Sequence, residues 1–432
     1  MTRDVRLNEF ILLLSARCTR SDLILLKMKK WLGVAFRFSV QALLIFPVLP
    51  LLYLIEPAYK IRLGTMYTQR IGHLALNTET FIRKHRLAGY PKRTLYIFAG
   101  FDPANKQLMK MWLRLKGDPV IFAESKLLTR IFSAWGRILT KTRFWDRQST
   151  NFVEYTLFSK TEPVLHFTEE EERTGRQALE DMGIPNSSWF VPIHVRDDAY
   201  LTSWRPELKA YWKRIEQRNC SINNFMDAAK HIADLGGYAI RVGAIVEEPL
   251  PNNLHPRIID YATKYRSDFM DIYLGAKCRF YIGTTSGPDA LADIFNKPLL
   301  GTNQVPYNMC RNNRKSIILP RLLTSTETGE IIPFFQAKAE GYYSEWEYPS
   351  SMNPSRGLYL PIENLAEDIL DGAKDMLDGL DDKPVDSDAQ RIQEAYGKEY
   401  LSIRSDYKLA GNIGRRFAKK YSNLIEPRRS LS

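Results

Sequence analysis

The sequence predicts an α/β fold of two doubly wound domains with a cleft between them. Short apolar runs alternate with helical patterns along most of the chain, which is the order that builds parallel sheets with right-handed crossovers. A length of 432 residues exceeds what one hydrophobic core usually organises. A composition of 44% hydrophobic and 25% charged residues is typical of a folded globular chain.

Four segments are expected along the chain. Gly183-Ile-Pro-Asn186 interrupts the helical pattern, which places a domain boundary near residue 185. Residues 61–185 then form an N-terminal α/β domain and residues 186–380 a C-terminal α/β domain. Residues 1–60 are predicted to be a basic and apolar membrane-associating segment, and residues 381–432 a polar linker with a basic tail.

The net charge of +12 is concentrated at the two ends of the chain. Residues 1–70 hold eleven Lys and Arg against four Asp and Glu, and residues 408–432 hold seven against one. The central body is therefore close to neutral. Basic ends indicate contact with an anionic surface such as a membrane, and no helix-turn-helix, zinc-finger or RNA-binding motif indicates nucleic acid.

An apolar run occupies residues 38–55 and is flanked by Lys27, Lys29, Lys30 and Arg37 on its N-terminal side. Its length is marginal against the ~20 residues that a bilayer core requires, and Pro47 and Pro50 disfavour a straight helix. We expect a membrane-embedded or interfacial anchor that leaves the body of the protein in the cytoplasm. The alternative is a helical hairpin packed on the domain.

Cysteine and histidine are sparse and scattered. The four cysteines (Cys18, Cys220, Cys278 and Cys310) have no C-x-x-C spacing, which fits a reducing cytoplasm and argues against a disulfide framework. The six histidines form no metal-binding pattern, so no metal site is expected.

The N-terminal domain is expected to begin with a strand at residues 61–69, followed by a turn at Arg70-Ile-Gly-His73 and a helix at residues 74–85. Gly72 suits a tight turn and would let another group approach closely. Further strands are predicted at residues 94–99 and 119–122.

The C-terminal domain has the clearest strand–helix alternation. Its predicted strands cover residues 189–195, 238–242, 257–262, 279–283 and 298–300. Its predicted helices cover residues 221–235, 268–276, 290–296 and 363–378. An acidic helix at residues 168–182, with Thr168 as its N-cap, precedes the domain.

Two polar clusters follow strands of this domain. The first strand delivers His194 and Arg196, and Thr284-Thr285-Ser286-Gly287 opens the helix at 290–296. Hydroxyls and free backbone N–H groups before a helix suit phosphate, and arginine donates bidentate hydrogen bonds to phosphate oxygens. The alternatives are a plain N-cap for the hydroxyls, an ion pair of Arg196 with Asp197 or Asp198, and a backbone hydrogen bond for His194.

Arg241 lies near the end of the next strand and is a further candidate for the substrate site. A general base is sought in the N-terminal domain, where His73 follows the first strand. A buried histidine that fixes the turn is the alternative for His73. Glu79 and Asp102 are the carboxylates that could act instead.

Several motifs between residues 60 and 305 form a recognisable set. They are Arg70-Ile-Gly-His-Leu-Ala-Leu-Asn-Thr-Glu79, His194-Val-Arg-Asp-Asp-Ala-Tyr200, Arg218-Asn219, Ile222, Arg241-Val-Gly243, Asp271-Ile-Tyr-Leu274 and Phe280-Tyr-Ile-Gly-Thr-Thr-Ser-Gly287. The set resembles a family of bacterial glycosyltransferases of surface polysaccharide synthesis. The C-terminal half is distantly similar to the O-fucosyltransferase and α1,2/α1,6-fucosyltransferase group, whose fold is GT-B.

The resemblance implies an inverting, metal-independent transfer from a nucleoside-diphosphate sugar to a glycan or lipid-linked acceptor. Arg196 corresponds to the arginine of the H-x-R motif, and Thr285 and Ser286 to the phosphate-binding hydroxyls. The donor is a substrate, so no cofactor is implied. The glycine-rich loop of fucosyltransferases is replaced here by Arg70-Ile-Gly-His73, so acceptor and base assignments do not carry over.

We therefore expect a hexosyl- or fucosyltransferase-like enzyme on the cytoplasmic face of the inner membrane, peripheral or monotopic. The N-terminal domain would face the acceptor and the C-terminal domain the nucleotide sugar. A sugar-nucleotide epimerase of the same fold is one alternative. A non-catalytic, membrane-tethered scaffold of a polysaccharide assembly complex is the other.

Overall fold

The computed structural model describes residues 33, 36, 39–40, 43–148, 155–208, 212, 218–251, 254–305, 311–340, 359–401 and 407–426. The basic residues Lys27, Lys29, Lys30 and Arg37 lie outside the described residues, as does part of the apolar run at 38–55. The chain divides into two compact units. Unit 1 comprises Met1–Met66, Pro91–Phe101 and Pro119–Arg147, and unit 2 comprises Tyr67–Tyr90, Asp102–Asp118 and Gln148–Ser432.

The described residues form strands and helices in alternation. The strands are β1 (Lys60–Thr65), β2 (Thr94–Gly100), β3 (Val120–Glu124), β4 (Phe190–His194), β5 (Tyr238–Val242), β6 (Ile258–Asp260), β7 (Tyr281–Thr284), β8 (Leu299–Gln304), β9 (Ile317–Pro320), β10 (Leu322–Ser325), β11 (Ile331–Ile332), β12 (Tyr359–Ile362) and β13 (Asn412–Ile413). The helices are α1 (Ile45–Ile55), α2 (Ile71–Ala88), α3 (Lys106–Leu113), α4 (Lys126–Leu139), α5 (Tyr155–Lys160), α6 (Glu169–Asp181), α7 (Ala199–Trp204), α8 (Met226–Asp234), α9 (Tyr261–Lys264), α10 (Asp268–Lys277), α11 (Ala290–Ile294), α12 (Phe334–Ala339), α13 (Ala366–Leu380), α14 (Ser387–Tyr400), α15 (Arg415–Lys420) and α16 (Ser422–Ile425).

Unit 2 is built on a seven-stranded sheet in the order β13-β9-β8-β7-β4-β5-β6, with every neighbouring pair parallel. The chain runs outward from β4 through β5 to β6, then returns to the other side of β4 and continues from β7 to β9 and, at the far edge, β13. The order β6-β5-β4-β7-β8-β9 is the 3-2-1-4-5-6 order of a doubly wound, Rossmann-type sheet. Its direction reverses between β4 and β7, and ligands of such sheets bind at the carboxyl ends of that strand pair.

Both faces of this sheet are covered, as an all-parallel sheet requires. On one face, α8, α13 and α14 pack against apolar residues of the central strands, including Val191, Ile193 and Ile282. On the other face, α6, α10 and α11 pack against Phe190, Ile240 and the neighbouring strands. The expectation of an α/β protein with parallel sheets is thus confirmed.

Helix α2 is fixed to α11 within unit 2 by one buried arginine. Arg83 donates from Nη2 to the carbonyl of Ile294 at 2.7 Å and from Nη1 to Oδ1 of Asn296 at 2.9 Å. Its Nε donates to Glu79 at 2.6 Å. These contacts hold the fourth turn of α2 against the C-terminal end of α11.

Unit 1 contains a three-stranded parallel sheet in the order β1-β2-β3. Helices α1 and α4 share one core with it, formed by Ile45 and Leu52 of α1, Phe132 and Trp135 of α4, and Leu63 of β1. Among the described residues, no helix is both long enough and apolar enough to cross a membrane.

Most predicted elements are present, although several begin or end at other residues than expected. Helix α2 begins at Ile71, so Gly72 lies in its first turn, and residues 66–70 make the turn after β1. The predicted linker and tail at 381–432 instead contain folded elements, from α14 to α16. The apolar side chains of Tyr396, Ile413 and Phe417 explain this, because they are buried in the core of unit 2.

The basic residues of that C-terminal segment are also engaged. Arg416 pairs with Asp375, Lys419 with Asp386 at 3.3 Å, and Lys420 with Asp368 at 2.7 Å. These cations hold α15 against acidic residues of the same unit. Contact of this segment with a membrane stays a prediction.

Candidate functional site

A cavity of about 410 Å³ lies at the carboxyl ends of β4 and β7, and all of its lining residues belong to unit 2. Its volume is within the range of small-molecule sites. Three segments meet there: the start of α2 (Arg70–His73), the end of β4 (His194–Asp197) and the loop before α11 (Thr285–Asp289). The two polar clusters predicted from the sequence are thus brought together at the point where the sheet order reverses.

Arg196 is the most unusual charge in this cavity. Its side chain is 8% exposed, and among the described residues its Nη2 has no hydrogen-bond partner. Burial lowers the pKa of this guanidinium to about 10, against the opposing effect of Asp198. Buried polar groups nearly always have partners, so an unpartnered guanidinium nitrogen in a cavity indicates a place for an anion.

The expected alternative for Arg196 was an ion pair with Asp197 or Asp198. Within the described part of the chain no such ion pair is present, because both carboxylates are bonded elsewhere. Asp197 accepts from the backbone N–H groups of Ala199 at 3.1 Å and Glu247 at 2.9 Å. Asp198 accepts from the side-chain amide of Asn219 at 2.6 Å.

The backbone of Arg196 is held in place by β7 and by the segment at Cys220. Its N–H donates to Oγ1 of Thr284 at 3.2 Å, and its carbonyl accepts from the N–H of Cys220 at 3.0 Å. Thr284 is fully buried and does not line the cavity, so its hydroxyl positions Arg196.

The loop from Thr285 to Gly287 presents two hydroxyls to the cavity. Oγ of Ser286 lies 3.0 Å from Nδ1 of His194 and 3.3 Å from Oδ1 of Asp289. Oγ1 of Thr285 accepts from the N–H of Val305 at 3.3 Å, which leaves its proton for another acceptor. Burial, with the nearby charges of Arg196 and Arg241, lowers the pKa of His194 to about 3, so its ring is neutral at physiological pH.

Gly72 and Gly287 meet backbone to backbone. A Cβ on Gly72 would lie 3.0 Å from Cα of Gly287, and a Cβ on Gly287 would lie 3.1 Å from Cγ2 of Ile71. The sequence predicted Gly72 as a turn residue or a point of close approach, and the structure shows the close approach. The start of α2 and the loop before α11 therefore form one wall of the cavity.

Arg218 is a site residue whose role the sequence reasoning missed. Its Nε and Nη2 both donate to the carbonyl of Thr285, the Nε at 2.9 Å. The guanidinium thus holds the hydroxyl-bearing loop while lining the cavity. The sequence feature that could have identified Arg218 as a site residue is its place in the Arg218-Asn219 motif.

A buried acidic cluster also lines the cavity and was not predicted. Asp289 pairs with Arg311 at 3.2 Å, and burial raises the pKa of this carboxyl to about 7. Burial likewise raises the pKa of Asp293 to about 6. Within the described residues, no group of three or more His, Cys, Asp and Glu side chains is arranged to hold a metal ion.

His73 lies in the first turn of α2 and lines the cavity. Its Nδ1 is 3.4 Å from Oδ1 of Asn77, and burial lowers the pKa of its ring. Of the alternative bases, Glu79 is fully buried in its ion pair with Arg83. Neither Glu79 nor Asp102, both described, is among the cavity-lining residues.

Arg241 lies apart from the predicted cluster. Its Nη1 donates to the carbonyl of Glu248 at 2.8 Å and pairs with Asp260 at 3.3 Å, and this described side chain does not line the cavity. The pair fixes the segment after β5, whose residues Val242–Ile245 do line it. Arg241 therefore supports the cavity wall from behind.

The fold and cavity of unit 2 define a doubly wound α/β protein with a crevice at the point where its sheet order reverses. No family model matches the chain, and no curated protein matches it. Among solved structures, it is similar to a family 9 glycosyl transferase from Veillonella parvula DSM 2008, with a TM-score of 0.42, 9% identity and coverage of 74% of this chain and 97% of that one. It is also similar to the ADP-heptose LPS heptosyltransferase II of E. coli, with a TM-score of 0.34, 11% identity and coverage of 56% and 84%. A third similar structure is the iron-containing dodecameric glycosyltransferase TibC of enterotoxigenic E. coli H10407, with a TM-score of 0.30, 11% identity and coverage of 57% and 60%.

Proposed function

We propose that this chain is a glycosyltransferase that moves a sugar from a nucleoside-diphosphate sugar to a glycan or lipid-linked acceptor. The single observation that carries the proposal is the buried, unpartnered Nη2 of Arg196 at the reversal point of the sheet. A diphosphate bound there would meet the guanidinium of Arg196 together with the hydroxyls of Thr285 and Ser286. Sugar transfer is the reaction in which such a diphosphate leaves with added negative charge.

The proposed reaction is a direct displacement with inversion. The acceptor hydroxyl oxygen attacks the anomeric carbon as the bond from that carbon to the phosphate oxygen breaks. The electron pair stays with the nucleoside diphosphate, where Arg196 offsets the new charge. His73, neutral because burial lowers its pKa, takes the acceptor proton on its ring.

The resemblance in the sequence supports further features of the proposed enzyme, namely its fold, its metal independence and its cellular role. It favours a GT-B-like pair of domains, transfer without a metal ion, and a role in bacterial surface polysaccharide synthesis at the cytoplasmic face of the inner membrane. These points are part of the proposal and rest on the motifs that include His194, Arg196 and Thr284–Gly287.

The test is incubation of the purified full-length chain with a panel of UDP-, GDP-, ADP- and CDP-sugars. We expect one donor to be hydrolysed slowly without acceptor. Its nucleoside diphosphate should raise the melting temperature, because a ligand at a hundred times its Kd stabilises the folded state by about 2.7 kcal/mol. Conversion to an isomeric nucleotide sugar would instead identify an epimerase. No stabilisation by any nucleoside diphosphate would identify a scaffold and reject the proposal.

A further inference from the structure

Helix α1 of unit 1 has no polar face. Its sequence, Ile-Phe-Pro-Val-Leu-Pro-Leu-Leu-Tyr-Leu-Ile, contains no charged or amide side chain. Ile45 and Leu52 are buried in the core of the unit. The opposite side exposes Phe46, Leu51 and Leu54 at 64%, 52% and 78%. An exposed apolar helix face of this kind marks an interaction site, since a helix apolar on all sides is normally buried or in lipid.

Helix α4 of the same unit carries cations on its outer face. Lys126, Arg130 and Arg137 fall on one side of the helix by their spacing, and all three are exposed. Leu127, at 65% exposed, and Ile138, at 38%, lie between this basic face and the buried face. Basic, apolar and buried strips in this order are typical of helices that lie in a membrane interface.

The two helices belong to one surface. They pack together in a core that contains Leu52 of α1 and Trp135 of α4. Beyond the end of α4, the guanidinium of Arg143 lies 5.5 Å from the ring centre of Tyr53 in α1. Residues 124–147 hold six exposed Lys and Arg side chains against two acidic residues. The exposed apolar face of α1 is therefore bordered by a net positive charge.

We propose that this α1–α4 surface, formed by the exposed residues of α1 and residues 124–147, binds an anionic phospholipid membrane. The apolar side chains of α1 enter the boundary between headgroups and acyl chains, and the cations of α4 contact lipid phosphates. Charge complementarity favours this occupant over a second copy of the chain, whose identical surface would carry the same positive charge. The inference does not depend on the proposed sugar transfer.

Cosedimentation of the purified full-length chain with vesicles tests the proposal. One set of vesicles is phosphatidylcholine alone, and the other contains added phosphatidylglycerol. We expect binding to the anionic vesicles only, with the bound fraction falling as salt shortens the Debye length from roughly 10 Å to a few Å. Equal binding to both vesicles, or no binding, would overturn the proposal.

Matched variants locate the binding surface. The double variant Phe46→Glu/Leu54→Glu should bind anionic vesicles at least about tenfold more weakly, because charges replace two exposed apolar side chains that would enter the membrane. The control Leu235→Glu alters a side chain of similar exposure, 53%, in unit 2 and should bind normally. Wild-type binding by the double variant, with an unchanged melting temperature, would contradict the assignment.

A second pair of variants separates the contribution of charge to vesicle binding from that of apolar contact. Lys126→Glu/Arg130→Glu should weaken binding to anionic vesicles, whereas Lys264→Glu/Lys408→Glu, two exposed cations of unit 2, should not. Size-exclusion chromatography is run in parallel. A dimer that Leu54→Glu dissociates, without vesicle binding by the wild type, would assign the surface to self-association and reject the membrane.

Discussion

Oγ of Ser286 lies 3.0 Å from Nδ1 of His194 and so joins the ends of two neighbouring strands. His194 ends β4, and Ser286 follows β7. These are the two strands between which the order of the sheet reverses. The contact therefore lies at the floor of the crevice, where a doubly wound sheet binds its ligand.

Removal of the Ser286 hydroxyl should weaken nucleotide binding more than it weakens the fold. Ser286→Ala loses one donor to a charged phosphate, which is worth roughly 1.5–3 kcal/mol, so the Kd for a nucleoside diphosphate should rise about tenfold or more. Titration calorimetry measures the Kd. Ser221→Ala, which removes a turn-capping hydroxyl outside the cavity, is the control and should leave the Kd unchanged.

A methyl group at Gly72 should disturb the site while leaving overall stability nearly unchanged. The new Cβ would lie 3.0 Å from the backbone of Gly287, so the loop that carries Ser286 must move. Because the loop can shift, the overpacking cost is about 1 kcal/mol, and about 1 kcal/mol of helix propensity offsets it, since Gly72 lies inside α2.

We expect Gly72→Ala to lower nucleotide affinity and turnover with little change in urea midpoint. Gly379→Ala is the control, since its Cβ meets only the Arg415 side chain at 3.7 Å. Unchanged affinity in Gly72→Ala would show that the backbone contact does not shape the binding site.

The buried His194 should make the protein less stable at acidic pH. Its pKa is lowered to about 3 in the folded protein against 6.5 for a free histidine. Between these values the unfolded chain binds a proton that the folded protein does not, so stability is full above pH 6.5 and falls as the pH drops towards 3.

His194→Gln should remove this contribution. From pH 7 to about 4.5, the free energy of unfolding of the wild type should fall by roughly 3 kcal/mol more than that of the variant. Urea unfolding at both pH values measures this difference. The raised pKa values of Asp289 and Asp293 act in the opposite direction but are common to both proteins. Parallel losses in the two proteins would mean that His194 is accessible to protons in the native state.

His73 should set the acidic limb of the pH–rate profile. Burial lowers the pKa of its ring, so the neutral, proton-accepting form persists below pH 6.5 and the rate should be flat through neutrality. His73→Gln should lower kcat about 10²–10⁴-fold and abolish the acidic limb. If His73→Gln keeps the wild-type kcat and the acidic limb of the profile, another residue is the general base.

The sequence predicted where several of the cavity-lining residues lie. His194, Arg196 and Thr284–Gly287 were predicted because each lies at or just after the carboxyl end of a strand, and parallel strands align their carboxyl ends. The pairing of β7 with β4 places these residues at the point where the strand order reverses. Periodicity and turn residues were sufficient for these elements.

Contacts between distant segments could not be predicted from local patterns. Gly72 and Gly287 meet although more than two hundred residues separate them, and the docking of α2 through Arg83 depends on the carbonyl of Ile294 and the side chain of Asn296. Arg241 was predicted as a site residue because it lies near the end of a strand, but Asp260 on the neighbouring strand pairs with it. The basic C-terminal segment was mistaken for a tail because its acidic partners lie in other helices.

The most direct measurement is the affinity of the full-length chain and of Arg196→Ala for the nucleoside diphosphate that stabilises the wild type best. Loss of two charge-assisted hydrogen bonds, each worth roughly 1.5–3 kcal/mol, should weaken binding by a hundredfold or more. The fold should be retained, because no ion pair with a described residue is broken. Arg196→Lys, which keeps the charge but not the bidentate geometry, should give an intermediate Kd. An unchanged Kd in a folded Arg196→Ala protein would contradict the account.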